Sequence, residues 1–128
     1  MNKKFILLVL VFALIFSCEK NAGIFEISGT ITNLSSSSGL DNCKLYLYSY
    51  PVGSGEELLT DSTYTDNDGS YTFSFERAQI EKYKITFDKE GYFEGEETIY
   101  FSALSLDAVN TVNLSTYGKS WVGIHLKN

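Results

Sequence analysis

The sequence predicts an all-β protein, a single antiparallel β-sandwich of about seven or eight strands, because three features agree. Apolar residues recur at every second position along most of the chain, which is typical of strands with one buried face. Glycine, asparagine, aspartate and serine separate these runs at short intervals, where tight turns need them. After the apolar N-terminal run, no stretch has the apolar spacing of a convincing helix.

Each alternating run assigns one set of residues to the core. The inward sets are Phe25, Ile27, Gly29 and Ile31, then Cys43, Leu45 and Leu47, then Tyr71, Phe73 and Phe75, then Tyr83, Ile85 and Phe87. Weaker alternation covers residues 58–65 and 93–101, and the last part gives Val112 with Leu114, then Val122, Ile124 and Leu126. One polar face per strand indicates two antiparallel sheets around one core.

The sequence between the strands has the chemistry of loops and turns. Residues 35–39 and 51–55 are rich in serine and glycine, and residues 89–91 and 117–119 close two further turns. Asp66-Asn67-Asp68-Gly69 predicts a tight hairpin, because Asn and Gly tolerate positive φ and Asp caps its own turn. The same turn does not fit a calcium-binding loop, which needs Gly at its sixth position and Glu at its twelfth.

The charge of the chain excludes some classes of partner. The formal net charge is −6, and removing residues 1–17, whose charged residues are Lys3 and Lys4, leaves 8 basic and 16 acidic residues, or −8. Nucleic-acid binding is driven by basic side chains that neutralise phosphates, so it is not expected. A basic amphipathic helix lying on a membrane is not expected either.

The N-terminus has the order of a secretory signal peptide. Lys3 and Lys4 precede twelve apolar residues, 5–16, and Ser17 then precedes Cys18. Two alternatives compete. An ordinary signal-peptidase site needs small residues one and three positions before the cut, and Ile15 or Phe16 would occupy the outer position. A membrane-spanning helix needs about 20 apolar residues, more than this run supplies.

Ile15-Phe16-Ser17-Cys18 resembles the lipobox of bacterial lipoproteins, in the looser form of Bacteroidetes-type proteins, with Phe16 as a departure. The resemblance implies that Cys18 carries a diacylglyceryl thioether and becomes the first residue of the mature chain. It divides the chain into a signal peptide, 1–17, a lipidated tether, 18–23, and a sandwich domain, 24–128. It also implies export to the cell envelope, at the outer membrane, with the membrane as a partner through the lipid.

Four segments follow one another along the chain. They are residues 27–32, with Gly29 and Ile31, then the apolar strand of residues 45–48, then residues 65–73, with Thr65-Asp66 and Gly69-Ser70-Tyr71, and finally residues 83–92, which end in Gly91-Tyr92. In this order they resemble the carboxypeptidase regulatory-like modules, a transthyretin-like (prealbumin-like) β-sandwich group. The resemblance covers about residues 25–101. It implies a small non-catalytic module that acts as a spacer, a folding adjunct or a binding platform.

Four aromatic residues are candidates for a ligand or partner surface. Tyr46, Tyr48 and Tyr50 should line one face of a strand, where they could stack on sugar rings, anchor a protein or pack against cross-strand neighbours. Trp121 shares an outward parity with His125, so it could meet a partner or cover a sheet edge. A carbohydrate-binding role for the tyrosine row is therefore an alternative function.

The sequence gives little support for an enzyme, a cofactor or a metal. The acidic residues between positions 88 and 97 have the pattern of a solvated edge, although an envelope hydrolase with a loop-built site stays an alternative. Cys43 is expected to be a buried hydrophobe, and His125 is the single histidine. The histidines and C-terminal motif of the related hydroxyisourate hydrolases are absent, and no isopeptide bond from Lys44 to Asn110 or Asn113 is expected.

Overall fold

The computed structural model describes residues 23–127, and this part of the chain forms two β-sheets. Its strands are β1 (Ile24–Asn33), β2 (Ser38–Gly39), β3 (Lys44–Pro51), β4 (Leu58–Tyr64), β5 (Ser70–Glu76), β6 (Ile80–Asp88), β7 (Gly95–Tyr100), β8 (Asn110–Thr111) and β9 (Leu114–Thr116). A single 3-10 turn, Phe101–Ala103, follows β7. Within residues 23–127, no helix is long and apolar enough to cross a membrane. The signal peptide, Cys18 and residues 19–22 of the expected tether lie outside the described residues.

The first sheet is built around β1. Strands β2 and β5 pair with β1 antiparallel, whereas β8 and β9 pair with it in parallel. The β-sandwich predicted from the sequence is confirmed, but its first sheet is mixed rather than purely antiparallel. The reason is the connection after β7: residues 101–109 carry the chain from the second sheet back to the first, so β8 and β9 return in the direction of β1.

The second sheet has the order β4-β3-β6-β7, and all of its pairs are antiparallel. A bulge interrupts the β3–β4 pairing between Leu47 and Tyr48. This sheet carries the predicted tyrosine row on its outer face and half of the core on its inner face.

The turn at residues 66–69 is as tight as predicted, but it is not a hairpin. Gly69, with φ of +82°, donates its N–H to Asp66 O at 3.0 Å, and Asp66 N–H donates to Ser70 O at 2.9 Å. The strands that it joins belong to different sheets, because β4 pairs with β3 and β5 pairs with β1. The turn therefore carries the chain from one sheet of the sandwich to the other.

The core lies between the two sheets, and the predicted inward parity of the four strongest strands is confirmed. Its buried side chains are Phe25, Ile27, Ile31, Leu40, Cys43, Leu45, Leu47, Tyr71, Phe73, Phe75, Tyr83, Ile85, Phe87, Ile99 and Leu114. The weak alternation of residues 58–65 gives β4 no comparable buried face, since Leu58 and Leu59 are both exposed.

The prediction for the last segment is wrong. Val122, Ile124 and Leu126 were expected to face inward, but all three are exposed and residues 119–127 form no strand. Lys119 N–H donates to Gly91 O at 2.7 Å, and residues 120–127, which follow it, make no backbone hydrogen bond to the described part of the chain. No neighbouring strand of its own domain lies beside the segment in the described chain, so the alternating pattern has no core to meet.

Candidate functional site

The outer face of the second sheet is the candidate functional site, and we call it the tyrosine face. Tyr46, Tyr48 and Tyr50 point outward from β3 because they alternate with Leu45, Leu47 and Ser49, which are buried. The three phenol rings are half-buried, so part of each ring is in contact with neighbours and part is open to solvent. The rings of Tyr46 and Tyr48 lie 6.3 Å apart, centroid to centroid, and are tilted by 31°.

Lysines cover part of each tyrosine ring. Strand β6 places Lys84 opposite Tyr48 and Lys82 opposite Tyr50. The ammonium nitrogen of Lys82 lies 4.8 Å from the Tyr50 ring centre, and that of Lys84 lies 5.4 Å from the Tyr48 ring centre. These distances are within the range of cation–π attraction. The tyrosine face therefore presents rings and positive charges together.

At the opposite end of the row, Lys44 bridges two further rings. Its ammonium nitrogen lies 5.0 Å from the ring centre of Tyr46 and 5.6 Å from that of Tyr64 on β4. Interaction with both phenols raises the pKa of Lys44, chiefly through the Tyr46 hydroxyl. The ammonium charge of Lys44 therefore lies at the surface, close to the rings of Tyr46 on β3 and Tyr64 on β4.

Glu57 ties the Tyr50 end of the face together. The Tyr50 hydroxyl and the Lys84 ammonium group both donate to Glu57 Oε2. Lys84 is the main cause that lowers the pKa of Glu57, and Glu57 in turn raises the pKa of Lys84. Glu57 is exposed and Lys84 is half-buried at the surface of the sheet, so water screens the pair, and the network orders the side chains more than it stabilises the fold.

A shallow groove of about 360 Å³ opens on this face. It is lined by Tyr46, Tyr48, Thr86, Phe87, Asp88, Glu94, Gly95 and Glu96. Its wall on β3 is aromatic, and its opposite wall carries the exposed carboxylates of Asp88, Glu94 and Glu96. A small ligand in this groove would meet ring faces on one side and hydrogen-bond acceptors on the other.

The sequence did not predict that Lys82 and Lys84 lie over the tyrosine rings, or that Glu57 binds Tyr50 and Lys84. The alternation of Lys82 and Lys84 with inward Tyr83 and Ile85 does indicate an outward face for the two lysines. It does not indicate which strand lies beside β6, and that pairing is what brings the ammonium groups over the tyrosines.

The structure separates Trp121 from the tyrosine row. Trp121 is in the exposed segment that leaves the sandwich after Lys119, and its side chain is almost fully solvated. His125 lies in the same segment. The four aromatic candidates are therefore two separate features, the tyrosine face and the exposed segment.

The other chemical candidates have structural roles. Asp68 Oδ1 accepts hydrogen bonds from Ser70 N–H at 3.1 Å and from the Ser70 hydroxyl at 2.6 Å, which lowers the pKa of Asp68. Asp66 and Asp68 line a second open cavity of about 560 Å³ beside Asn42. Among residues 23–127, no cluster of three His, Cys, Asp or Glu side chains is placed to hold a metal ion.

Cys43 is buried in the core, as predicted. Burial is the main cause that raises the pKa of its thiol to about 11. The residues considered for an isopeptide bond lie in different sheets: Lys44 is on β3, whereas Asn110 donates to Glu26 O at 3.0 Å and Asn113 accepts from Thr30 N–H at 3.1 Å.

Comparison of the sequence with protein-family models and with curated proteins finds no match. Solved structures do resemble the fold. A 3-chlorocatechol 1,2-dioxygenase from Rhodococcus opacus 1CP superposes with a TM-score of 0.56 at 10% identity, over 79% of this chain and 62% of the dioxygenase. The Bacillus anthracis TIE protein gives a TM-score of 0.56 at 19% identity, over 75% of this chain and 18% of that protein.

The shaft pilin SpaA from Lactobacillus rhamnosus GG gives a TM-score of 0.55 at 9% identity, over 78% of this chain and 48% of the pilin. This chain thus spans less than two thirds of each of these three proteins. At such low identity the similarity concerns the fold alone, a β-sandwich.

Proposed function

We propose that this chain is a lipid-anchored, non-catalytic module of the bacterial cell envelope that acts as a structural or binding accessory through its tyrosine face. The observation that carries the binding role is the row of half-buried tyrosines beside an open groove of about 360 Å³. Aromatic side chains are enriched where proteins make contacts, because they bury much surface for little loss of conformational freedom.

The anchor part of the proposal comes from the sequence. Lys3 and Lys4, the apolar residues 5–16 and Cys18 have the order of a lipoprotein signal peptide. A lipid on Cys18 would hold the domain a few residues from a membrane, at the outer membrane of the cell envelope. A single acyl chain gives only marginal binding, whereas two or more chains anchor a protein stably.

A non-catalytic role is supported by the surroundings of the acidic side chains. Acid–base catalysis by two carboxylates needs environments that separate their pKa values, for example burial of one of them. Asp88, Glu94 and Glu96 line the groove together, but all three are exposed. The envelope-hydrolase alternative therefore lacks a buried acid in this groove.

Carbohydrate binding is the second candidate function, and the groove favours it. Sugars stack on aromatic faces and donate hydroxyl hydrogen bonds, and the groove offers Tyr46 and Tyr48 beside exposed carboxylates. Since Lys44 and Lys84 already lie over these rings, a sugar would have to displace an ammonium group or use the uncovered part of each ring.

The binding role can be tested with a glycan array and with photo-crosslinking in cells. A photoreactive residue is placed at Tyr48, and a matched one at Tyr117, an exposed tyrosine away from this sheet. We expect either a discrete protein adduct at position 48 alone or array binding that Tyr48→Ala removes and Tyr117→Ala retains. No adduct together with a silent array would contradict a binding role for this face.

The anchor can be tested by detergent phase partitioning of cell extracts. The wild-type protein should enter the detergent-rich phase as the shortened chain that begins at Cys18, whereas Cys18→Ala should retain residues 1–17 and give the longer, uncleaved chain. Wild-type protein in the aqueous phase would contradict the anchor.

A further inference from the structure

Residues 120–127 form a segment with large apolar side chains that the sandwich does not cover. The exposed fractions of Trp121, Val122, Ile124 and Leu126 are 94%, 85%, 79% and 92%. Folded proteins rarely leave adjacent large apolar side chains in water without a partner surface for them.

Backbone hydrogen bonds hold the chain to the sandwich as far as Lys119. Phe93 N–H donates to Tyr117 O at 3.1 Å, and Lys119 N–H donates to Gly91 O at 2.7 Å. Residues 120–127 are exposed and make no backbone hydrogen bond to the described part of the domain.

The pattern of the segment is that of a strand. In an extended conformation Val122, Ile124 and Leu126 share one side, and Trp121 shares the other with Gly123 and His125. An extended segment of this kind adds to an open sheet edge through backbone hydrogen bonds, and its alternate side chains give specificity.

The same chain carries an open edge of matching length. Strand β4 pairs only with β3 among the described strands, so its other side presents unpaired backbone groups. It has seven residues, and Leu58, Leu59 and Tyr64 on it are large apolar side chains exposed to solvent. An apolar edge of this kind favours pairing with another strand.

The charges of the segment and the edge are complementary. Residues 119–127 contain Lys119 and Lys127 and no acidic residue. The β4 edge and the loop before it carry the exposed carboxylates of Glu56 and Asp61, beside Glu57, which is paired with Lys84. Opposite charges steer association and fix register at such contacts.

We propose that residues 120–127 of one copy of this chain add as a strand to the β4 edge of a second copy. Each copy would carry the donor segment and the acceptor edge at two different places, so the contact is heterologous. Such contacts repeat from copy to copy and give rings or open chains.

The position of the segment favours a protein over the lipid bilayer as the partner. Strand β9 runs parallel to β1, so the segment leaves the sandwich near the Asn33 end of β1. Gly23 lies at the other end, about 30 Å away along a ten-residue strand. This step rests on the proposed anchor, which would hold the Gly23 end next to the membrane.

The proposal can be tested by disulfide trapping between two differently labelled preparations of the full protein in detergent. One carries Ile124→Cys, and the other carries a single cysteine in turn at each residue of 58–64 or, as a control, at positions 96, 98 and 100 of β7. We expect mixed dimers from the β4 series only. No mixed dimer in either series, or dimers only through β7, would overturn the proposal.

A second measurement separates self-association from membrane contact. Sedimentation of the wild-type protein should show association that the double variant Val122→Asp with Ile124→Asp weakens by about tenfold or more, with its melting temperature unchanged. Val109→Asp, at another exposed valine, is the matched control and should associate like wild type. Equal association of the double variant, or loss only of binding to phosphatidylglycerol vesicles, would overturn the proposal. Neither outcome depends on whether Cys18 carries a lipid.

Discussion

The hydroxyl group of Tyr71 donates a hydrogen bond of 2.5 Å to the backbone carbonyl oxygen of Val112. Tyr71 is on β5, and Val112 lies between β8 and β9, so the bond crosses β1. It passes over Gly29, whose missing side chain leaves room for the Val112 carbonyl. These contacts fix the short parallel strands β8 and β9 against the rest of the first sheet.

We expect Tyr71→Phe to lower the free energy of unfolding by about 1–3 kcal/mol. The substitution keeps the ring in the core but leaves the partly buried Val112 carbonyl without its hydrogen bond, and an unpaired acceptor costs up to about this much when it is shielded from water. Urea unfolding measures the change. Tyr100→Phe, at an exposed tyrosine, is the control and should lie within about 0.5 kcal/mol of wild type. Equal stability of the two variants would contradict a structural role for the bond.

Gly29→Ala should destabilise the protein by about 1–3 kcal/mol. A Cβ on Gly29 would overlap the Val112 carbonyl group, which is backbone and cannot rotate away. The strand pairs of β8 and β9 with β1 would have to move apart, and hydrogen exchange at residues 110–116 should increase. Gly123→Ala is the control, because a Cβ there meets open space. Unchanged exchange in Gly29→Ala would contradict the close approach.

Thr65→Val should cost about 2 kcal/mol or more of unfolding free energy. The Thr65 hydroxyl donates to Leu40 O at 2.5 Å and accepts from Cys43 N–H at 2.9 Å, so its loss leaves two buried backbone groups unpaired. Thr65→Ser keeps the hydroxyl group and should lose much less stability. The comparison is made by thermal and urea unfolding, and a loss in Thr65→Val no larger than that in Thr65→Ser would contradict a dominant role for the two hydroxyl hydrogen bonds.

Cys43 should make the protein less stable at alkaline pH. Burial raises the pKa of the thiol to about 11 from 9.0, so the folded state holds its proton where the unfolded state releases it. The contribution of Cys43 to the free energy of unfolding is therefore intact below pH 9. As the pH rises from about 9 to 11, this free energy falls by at most about 2–3 kcal/mol.

The measurement is the difference in unfolding free energy between wild type and Cys43→Ala across pH 7 to 11. Burial also raises the pKa of Tyr71 and Tyr83, and both variants share that contribution, so the difference isolates the cysteine. We expect the advantage of wild type over Cys43→Ala to shrink above pH 9. If the difference in unfolding free energy between the two proteins did not change with pH, the raised pKa of Cys43 would be contradicted.

The sequence was sufficient for the faces of β1, β3, β5 and β6, because alternating large apolar and polar residues leave one register with a buried core. It was not sufficient for β8 and β9. Asn110–Thr111 and Leu114–Thr116 are too short for a pattern, and the contacts that hold this stretch come from distant residues such as Tyr71.

Turn residues likewise specify only the structure of the turn itself. Asp66–Gly69 specifies a tight turn, but the pairing of the strands on either side is decided by β1 and β3, far along the chain. The same applies to the tyrosine face: the outward parity of Tyr48 follows from the sequence, whereas the ammonium group over its ring follows from the register with Lys84.

Metabolic labelling with an alkyne fatty acid tests the central claim, the lipid anchor on Cys18, most directly. The wild-type protein should take up the label, Cys18→Ala should not, and Cys43→Ala should label like wild type because Cys43 is buried in the core. An unlabelled wild type, or equal labelling of Cys18→Ala, would contradict the claim.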